Sequence, residues 1–357
     1  MSNPMWCDFY DLVSEDPGFR PRWNNRPADD RVCNTLYFND VLIFPSRMDK
    51  SSRVISDNIL DSAGEVIKEA RYLRGDNLQT FSYVTDYDAR EFPSDSIKVN
   101  SIIYLGWLNP HYGHFITETL SRWWALSRMS PDILEKTFFY FDVHTDVSGI
   151  LKKSFIKLAL EVFRISEEKV LLGDNFYCAE SFYVPEPSLI LHNSINKRAL
   201  SSIYDRYNSR YRDINGLVPD VGGFSKPRTI YLSRRLLKRD KRVMSNEFEL
   251  ENVLKTYGVN IIHPQELSFL DQFRIYQCVD FVVGPSGSAL HNVFFMKKGV
   301  HVFSLTSENF VLLNELQCCV AMDAKYTAVV FKDSGQGKYW ESNVNMIISH
   351  LKQRNAI

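Results

Sequence analysis

Along the first hundred residues the apolar positions come in short runs such as TLYFN and VLIFP, separated by turn-rich stretches such as FRPRWNNRPADD. No helical period dominates there, which predicts an irregular, strand-rich opening region. Around Tyr104 the pattern sharpens. IIYLG reads as a buried strand and PHYG as a turn, and HFITETLSRWWALSRM places apolar residues at helical spacing up to about Met129, ahead of Pro131. FFYFDV then reads as a strand, residues 148–163 as a helix, KVLLG and SFYVPEP as strands, and residues 194–213 as a polar helix.

The stretch INGLVPDVGGFSKP concentrates Gly and Pro and loses the apolar period, as interdomain linkers do. The predicted division is therefore a domain over residues 1–214, a linker over 215–227 and a second domain over 228–357. Beyond the linker, TIYLSR, VNIIH, DFVVG and VHVFSL alternate with helical patterns in NEFELENVLKTYG, SFLDQFRIYQC and SALHNVFFMKKG. Strands spaced by such helices predict an α/β class and a doubly wound parallel sheet. A last helix near residues 338–354 either completes this domain or crosses back onto the first.

A length of 357 residues agrees with two domains. The 43 acidic and 42 basic residues nearly cancel, so no overall field draws in nucleic acid, and any anionic ligand must be held locally. No secretory leader is evident in MSNPMWCDFYDLV, and no window reaches the roughly 18 apolar residues of a membrane span. The expected location is cytoplasmic, with peripheral association at the inner face of a membrane assembly complex. Cys7, Cys33, Cys178, Cys278, Cys318 and Cys319 show no CxxC or zinc spacing and read as reduced packing residues.

Three segments carry candidate chemistry. In DFVVGPSGSALHN, a buried strand breaks at Gly284-Pro285-Ser286-Gly287 and a helix follows from Ser288 through Asn292. Free amides at such a turn suit a phosphate, and Ser286 would contact it, although a tight turn without a ligand reads the same residues equally well. In YLSRRLLKRDKR, Arg234 and Arg235 sit where a strand leaves the sheet, placed to grip a diphosphate. Lys238, Asp240 and Lys241 read as solvated loop. In HYGHFITETLSRWW, His114 and Glu118 are one helical turn apart, which suits either a general base with its orienting imidazole or a surface ion pair.

In order and spacing these segments resemble the glycosyltransferase 61 family, whose bacterial members build capsular and other surface polysaccharides. Its Gly-His-aromatic motif, with an acid four residues after the His, matches Gly113, His114, Phe115 and Glu118. Its Ser-Arg-Arg strand end, leading through further arginines to Asn-Glu, matches Ser233, Arg234, Arg235, Arg242, Asn246 and Glu247. Leu267 to Gln272 fit its Leu-x-x-x-Gln segment with one residue of slack, and Gly284, Pro285, Gly287, Asn292, Phe295 and Met296 fit its glycine turn. The chain departs from the family with Ser286 in place of a His and Ser304 in place of a Glu.

The resemblance implies a GT-B architecture of two Rossmann-like domains facing a cleft, and an inverting glycosyltransferase, hexosyl- or pentosyl-, that needs no metal or other cofactor. A nucleotide-sugar donor and a glycan or glycolipid acceptor would be its partners. Glu118 is then the expected base beside His114. Arg234, Arg235, Arg242, Asn246, Glu247, Gly284, Ser286, Gly287, Ser288 and Asn292 are the expected donor contacts, and Trp107 and Tyr112 would stack on the acceptor. Alternatives are a noncatalytic nucleotide- or glycan-binding module, or another nucleotide-sugar enzyme such as an epimerase. DVHTD lacks Asp-x-Asp metal spacing. No Gly-x-Gly-x-x-Gly or Gly-x-Ser-x-Gly supports a dehydrogenase or an α/β-hydrolase.

Overall fold

The structure is a computed structural model describing residues 10–16, 33–49, 54–75, 81–143, 149–212, 228–237, 242–311, 313–333 and 339–357. The expected linker at 215–227, the basic stretch at Lys238, Asp240 and Lys241, and Cys7 lie outside the described residues. The main strands, in chain order, are β1 (Tyr10–Ser14), β2 (Thr35–Ile43), β3 (Ile59–Leu60), β4 (Ile97–Trp107), β5 (Phe138–Asp142), β6 (Val170–Leu172) and β7 (Tyr177–Pro185). They continue with β8 (Thr229–Leu232), β9 (Asn260–Ile262), β10 (Phe281–Pro285), β11 (His301–Ser307) and β12 (Lys325–Phe331). The longer helices are α1 (Ser154–Phe163), α2 (Lys197–Arg212), α3 (Glu247–Thr256), α4 (Phe269–Tyr276), α5 (Leu313–Ala321) and α6 (Val344–Gln353).

Two compact units result. One is Asp29–Arg210, and the other joins the N-terminal strand to Tyr211–Ile357. In the first, a mixed sheet runs β3-β2-β7-β4-β5-β6 among the described residues. β2 is antiparallel to β7 and β3, and β7, β4, β5 and β6 are parallel. β4 carries an irregularity between Tyr104 and Trp107, where Gly106 takes a φ of 88°. A left-handed residue there favours glycine and re-aims Trp107 opposite Asp142.

The segment after β4, expected to be one α-helix, changes winding twice. It is α over Tyr112–His114, π over Phe115–Thr119 and 3₁₀ over Leu120–Ser127. Hydroxyl side chains explain the departure, because they compete for backbone carbonyls. Thr117 donates to Gly113 O at 2.7 Å, Ser121 to Glu118 O at 2.6 Å, and Thr119 to Trp107 O at 2.5 Å.

The second unit holds a parallel sheet in the order β1-β12-β11-β10-β8-β9. β1 was expected in the first domain, yet Tyr10 to Ser14 pair with Tyr326 to Val330 of β12. A five-residue strand carries no signal of which sheet it joins. Leu250 and Leu254 of α3 and Ile347 and Leu351 of α6 lie one turn apart and enter a core with Tyr231, Val283, Phe303 and Val329. Each such side chain contributes about 2 kcal/mol. The last helix therefore completes this unit.

α4 starts at Ser268, whose hydroxyl caps Asp271 N at 3.1 Å, and α6 at Asn343, which caps Met346 N at 3.0 Å. The helix expected after the glycine turn is only a 3₁₀ segment, Leu290–Phe295. All six of its residues are buried. Cys178, Cys278, Cys318 and Cys319 are free, and burial raises the thiols of Cys318 and Cys319 well above their ordinary range. Among the described residues no helix is long and apolar enough to cross a membrane.

Candidate functional site

In the first unit the π turn places His114 and Glu118 side by side, with Nδ1 and Oε2 2.5 Å apart. The Tyr72 hydroxyl donates to Oε1 of the same carboxyl, and Arg74 Nε lies 3.6 Å from that oxygen. The Glu118 side chain is 6% exposed and that of His114 38%. Burial pushes the Glu118 carboxyl up, but the His114 hydrogen bond, the Arg74 charge and the Tyr72 hydroxyl outweigh it and hold the group below its ordinary 4.5. An ionised carboxylate only accepts, so Nδ1 is the ring nitrogen that carries hydrogen.

Glu118 borders a narrow cavity with Tyr72, Tyr104, Trp107 and Arg122. Its volume is about 20 Å³, enough for a water and far below a sugar ring. Trp107 is buried on this wall, edge-on to Tyr72 at 6.5 Å, and Tyr112 packs edge-on against Phe155 at 5.5 Å. Asp142, the first acid of DVHTD, is buried and accepts from Ser46, Asn58, Tyr104 and Tyr140 at 2.6–2.9 Å. Those four donors account for that carboxylate structurally.

In the second unit the strand order reverses at β8, which has β9 on one side and β10 on the other. The carboxyl ends of such a pair are where open α/β sheets bind ligands. β8 and β10 lie close because Gly284 has no Cβ, which would meet Leu232 O at 2.9 Å. At these ends is a pocket of about 280 Å³ walled by Arg234, Arg235, Arg242, Glu247, Phe248 and Pro285, among others.

Each guanidinium is held. Arg234 Nη1 donates to Ser286 O at 2.5 Å, and its backbone N–H to Glu247 at 2.8 Å. Arg235 Nε reaches buried Glu251 at 3.1 Å and lies 5.2 Å over the Phe248 ring. Arg242, at a φ of 58°, lies 4.3 Å over Phe310. Burial raises the Glu247 carboxyl, opposed only in part by the Arg234 amide and the Tyr231 hydroxyl.

The glycine turn behaves differently from its reading as a set of free phosphate donors. Ser286 Oγ and the Gly287 amide both donate to Glu315 Oε1, at 2.6 and 2.7 Å. Ser304 Oγ and Tyr326 OH donate to Oε2, at 2.5 and 3.2 Å. These groups face inward onto a buried carboxylate, and Ser288 alone of the turn is exposed. Gly287 instead makes room for Arg234, whose Nη1 would lie 3.1 Å from a Cβ placed there.

Asn246 clamps Ser342, donating to its carbonyl at 2.8 Å and accepting from its amide at 2.9 Å. Asn292 is buried against the Tyr276 hydroxyl at 3.1 Å. Both residues serve packing rather than the pocket wall.

Sequence reading missed Tyr72, Arg74, Phe248 and Glu315. Of these only Glu315 had a signal, a single acid in the otherwise uncharged helix LNELQCCVA. No curated protein matches the chain. The family model described as Glycosyltransferase 61 matches residues 112–303, a span that takes in the His114–Glu118 pair, the three pocket arginines and the glycine turn. With more than half its length matched, the chain belongs to the glycosyltransferase 61 family and is a glycosyltransferase.

Proposed function

We propose that the protein transfers a hexosyl or pentosyl group from a nucleotide sugar to a hydroxyl of a glycan or glycolipid, in the synthesis of a capsular or other surface polysaccharide. The reaction inverts the anomeric carbon, uses no metal, and runs on a GT-B arrangement of the two units. What carries the reading is the pocket at the β8–β10 strand ends, where Arg234, Arg235 and Arg242 converge with apolar and aromatic wall. Fixed guanidinium groups suit a diphosphate and stabilise the charge that grows on it as the glycosidic bond breaks. Phe248 and Pro285 offer flat surface to the rest of the nucleotide. The His114–Glu118 pair supplies the proton acceptor that a single displacement requires.

The test is a thermal-shift panel of UDP, GDP, UDP-sugars, GDP-sugars and NAD, with and without EDTA, followed by transfer assays on the hits. A nucleoside diphosphate that raises the melting temperature in EDTA is expected, because ligand bound only by the folded state stabilises it. No shift with any nucleotide would refute the donor reading. A loss of transfer in EDTA would refute metal independence, and binding without transfer would point to a noncatalytic module.

A further inference from the structure

We infer that His114, through Nε2, is the group that takes the proton from the acceptor hydroxyl, and that Glu118 is the positioning residue behind it. The inference rests on the transfer reading and reverses the roles expected within the pair.

A base must come within hydrogen-bond reach of the proton it removes. Glu118 offers little approach. Its side chain is 6% exposed, Oε1 is met by Tyr72 and Arg74, and Oε2 by His114. The cavity on its side holds about 20 Å³, which admits water but not a sugar ring. His114 is the exposed member of the pair, at 38%. With Nδ1–H donated to the carboxylate, the lone pair of the neutral ring lies on Nε2, at the opposite edge of the imidazole. The Tyr72 hydroxyl fixes the other oxygen of Glu118, and Tyr83 OH donates to Tyr72 O at 2.6 Å, which steadies that residue in turn.

The step then balances. The acceptor O–H proton moves to His114 Nε2 as the acceptor oxygen bonds to the anomeric carbon. The bond from that carbon to the diphosphate oxygen breaks, and its electron pair leaves with the nucleotide. Glu118 stays ionised beside the imidazolium, and the exposed ring returns the proton to solvent.

The first measurement needs no activity. Nitrogen NMR of the wild-type protein is expected to show neutral His114 as the Nδ1–H tautomer, and an Nε2–H tautomer would overturn the inference. The second follows transfer from the nucleotide sugar identified in the panel. H114A is expected to lose on the order of 10²–10⁴-fold in kcat with donor KM little changed, and added imidazole to restore part of it. H114A/E118Q should be no slower than H114A, since the pair acts as a unit.

Transfer that survives in H114N and H114A, or an E118A variant rescued by formate while H114A ignores imidazole, would overturn the assignment and leave the transfer reading intact. A wild-type protein that transfers from no nucleotide sugar would overturn that reading, and the inference with it.

Discussion

Glu118 in the first unit and Glu315 in the second are both buried acids with several hydrogen-bond donors, yet they are pushed in opposite directions. Burial disfavours ionisation of each. Glu118 meets an imidazole and a guanidinium besides the Tyr72 hydroxyl, and its carboxyl is held below the ordinary value. Glu315 meets only neutral donors, from Ser286, Gly287, Ser304 and Tyr326, and its carboxyl is raised. The number of hydrogen bonds does not decide the charge of a buried acid here. The imidazole hydrogen bond, followed by the nearby guanidinium charge, does. One acid is therefore held below its ordinary value beside an exposed imidazole, while the other ties together the turn, β11 and β12.

Several changes would break or sharpen this contrast. The widest gap is expected in turnover. E118Q should lower kcat on the order of 100-fold or more, whereas E315Q, outside the chemistry, should lower it less than about tenfold. Equal losses would end the division of labour. Next in size, E315A should destabilise the protein by about 2–4 kcal/mol in urea unfolding, since it leaves a cavity and unpaired donors. E315Q keeps the volume and an acceptor for the Gly287 amide, and should stay within about 1 kcal/mol of wild type. An E315Q as unstable as E315A would mean the negative charge itself is needed.

R234A should weaken nucleoside diphosphate binding by about 10–100-fold in calorimetry, corresponding to loss of a charge-assisted contact of about 1.5–3 kcal/mol. Binding of the parent nucleoside should change little, and unchanged diphosphate affinity would detach the turn from the ligand.

The smallest effect is in pH. The lowered carboxyl of Glu118 stabilises the fold above the ordinary 4.5, and that stability is lost as pH falls through its folded value. The raised carboxyl of Glu315 has the opposite sign, with its contribution present below 4.5 and lost as pH rises through its folded value. Unfolding from about pH 3 to 8 should therefore show E118Q falling further behind wild type as pH rises toward the ordinary 4.5, and E315Q gaining on wild type at higher pH. Parallel curves would contradict the contrast.

Much of the second unit was legible because most strands and helices from Thr229 to Ser307 carry their own period, with Ser268 capping α4 and left-handed Gly258 following α3. The arginines were legible for a related reason, since a strand end fixes where its next residues emerge. What escaped depends on distant partners. Nothing in ARYLRGD indicates that Tyr72 and Arg74 meet a carboxylate more than forty residues on. The winding from Tyr112 to Ser127 looks α-helical by apolar spacing, and only the hydroxyls of Thr117, Thr119 and Ser121 divert it. The glycine turn is legible as the end of a buried strand, but its amide reads as a phosphate donor because nothing near the turn shows that Glu315, 28 residues on, accepts from it.

The pairing of β1 with β12 also has a consequence for how the chain is made. Roughly 300 residues separate the two strands, so at about 5–20 residues per second the first waits some 15–60 s on the ribosome for its partner. Asp29–Arg210 emerges in full during that interval and can fold first, between the two halves of the other unit. Until β1 docks on it, β12 presents an open edge of the kind that recruits foreign strands. Amino-terminal fusions that slow or misdirect Tyr10–Ser14 should therefore show up as aggregation of nascent protein rather than as a defect of the finished enzyme.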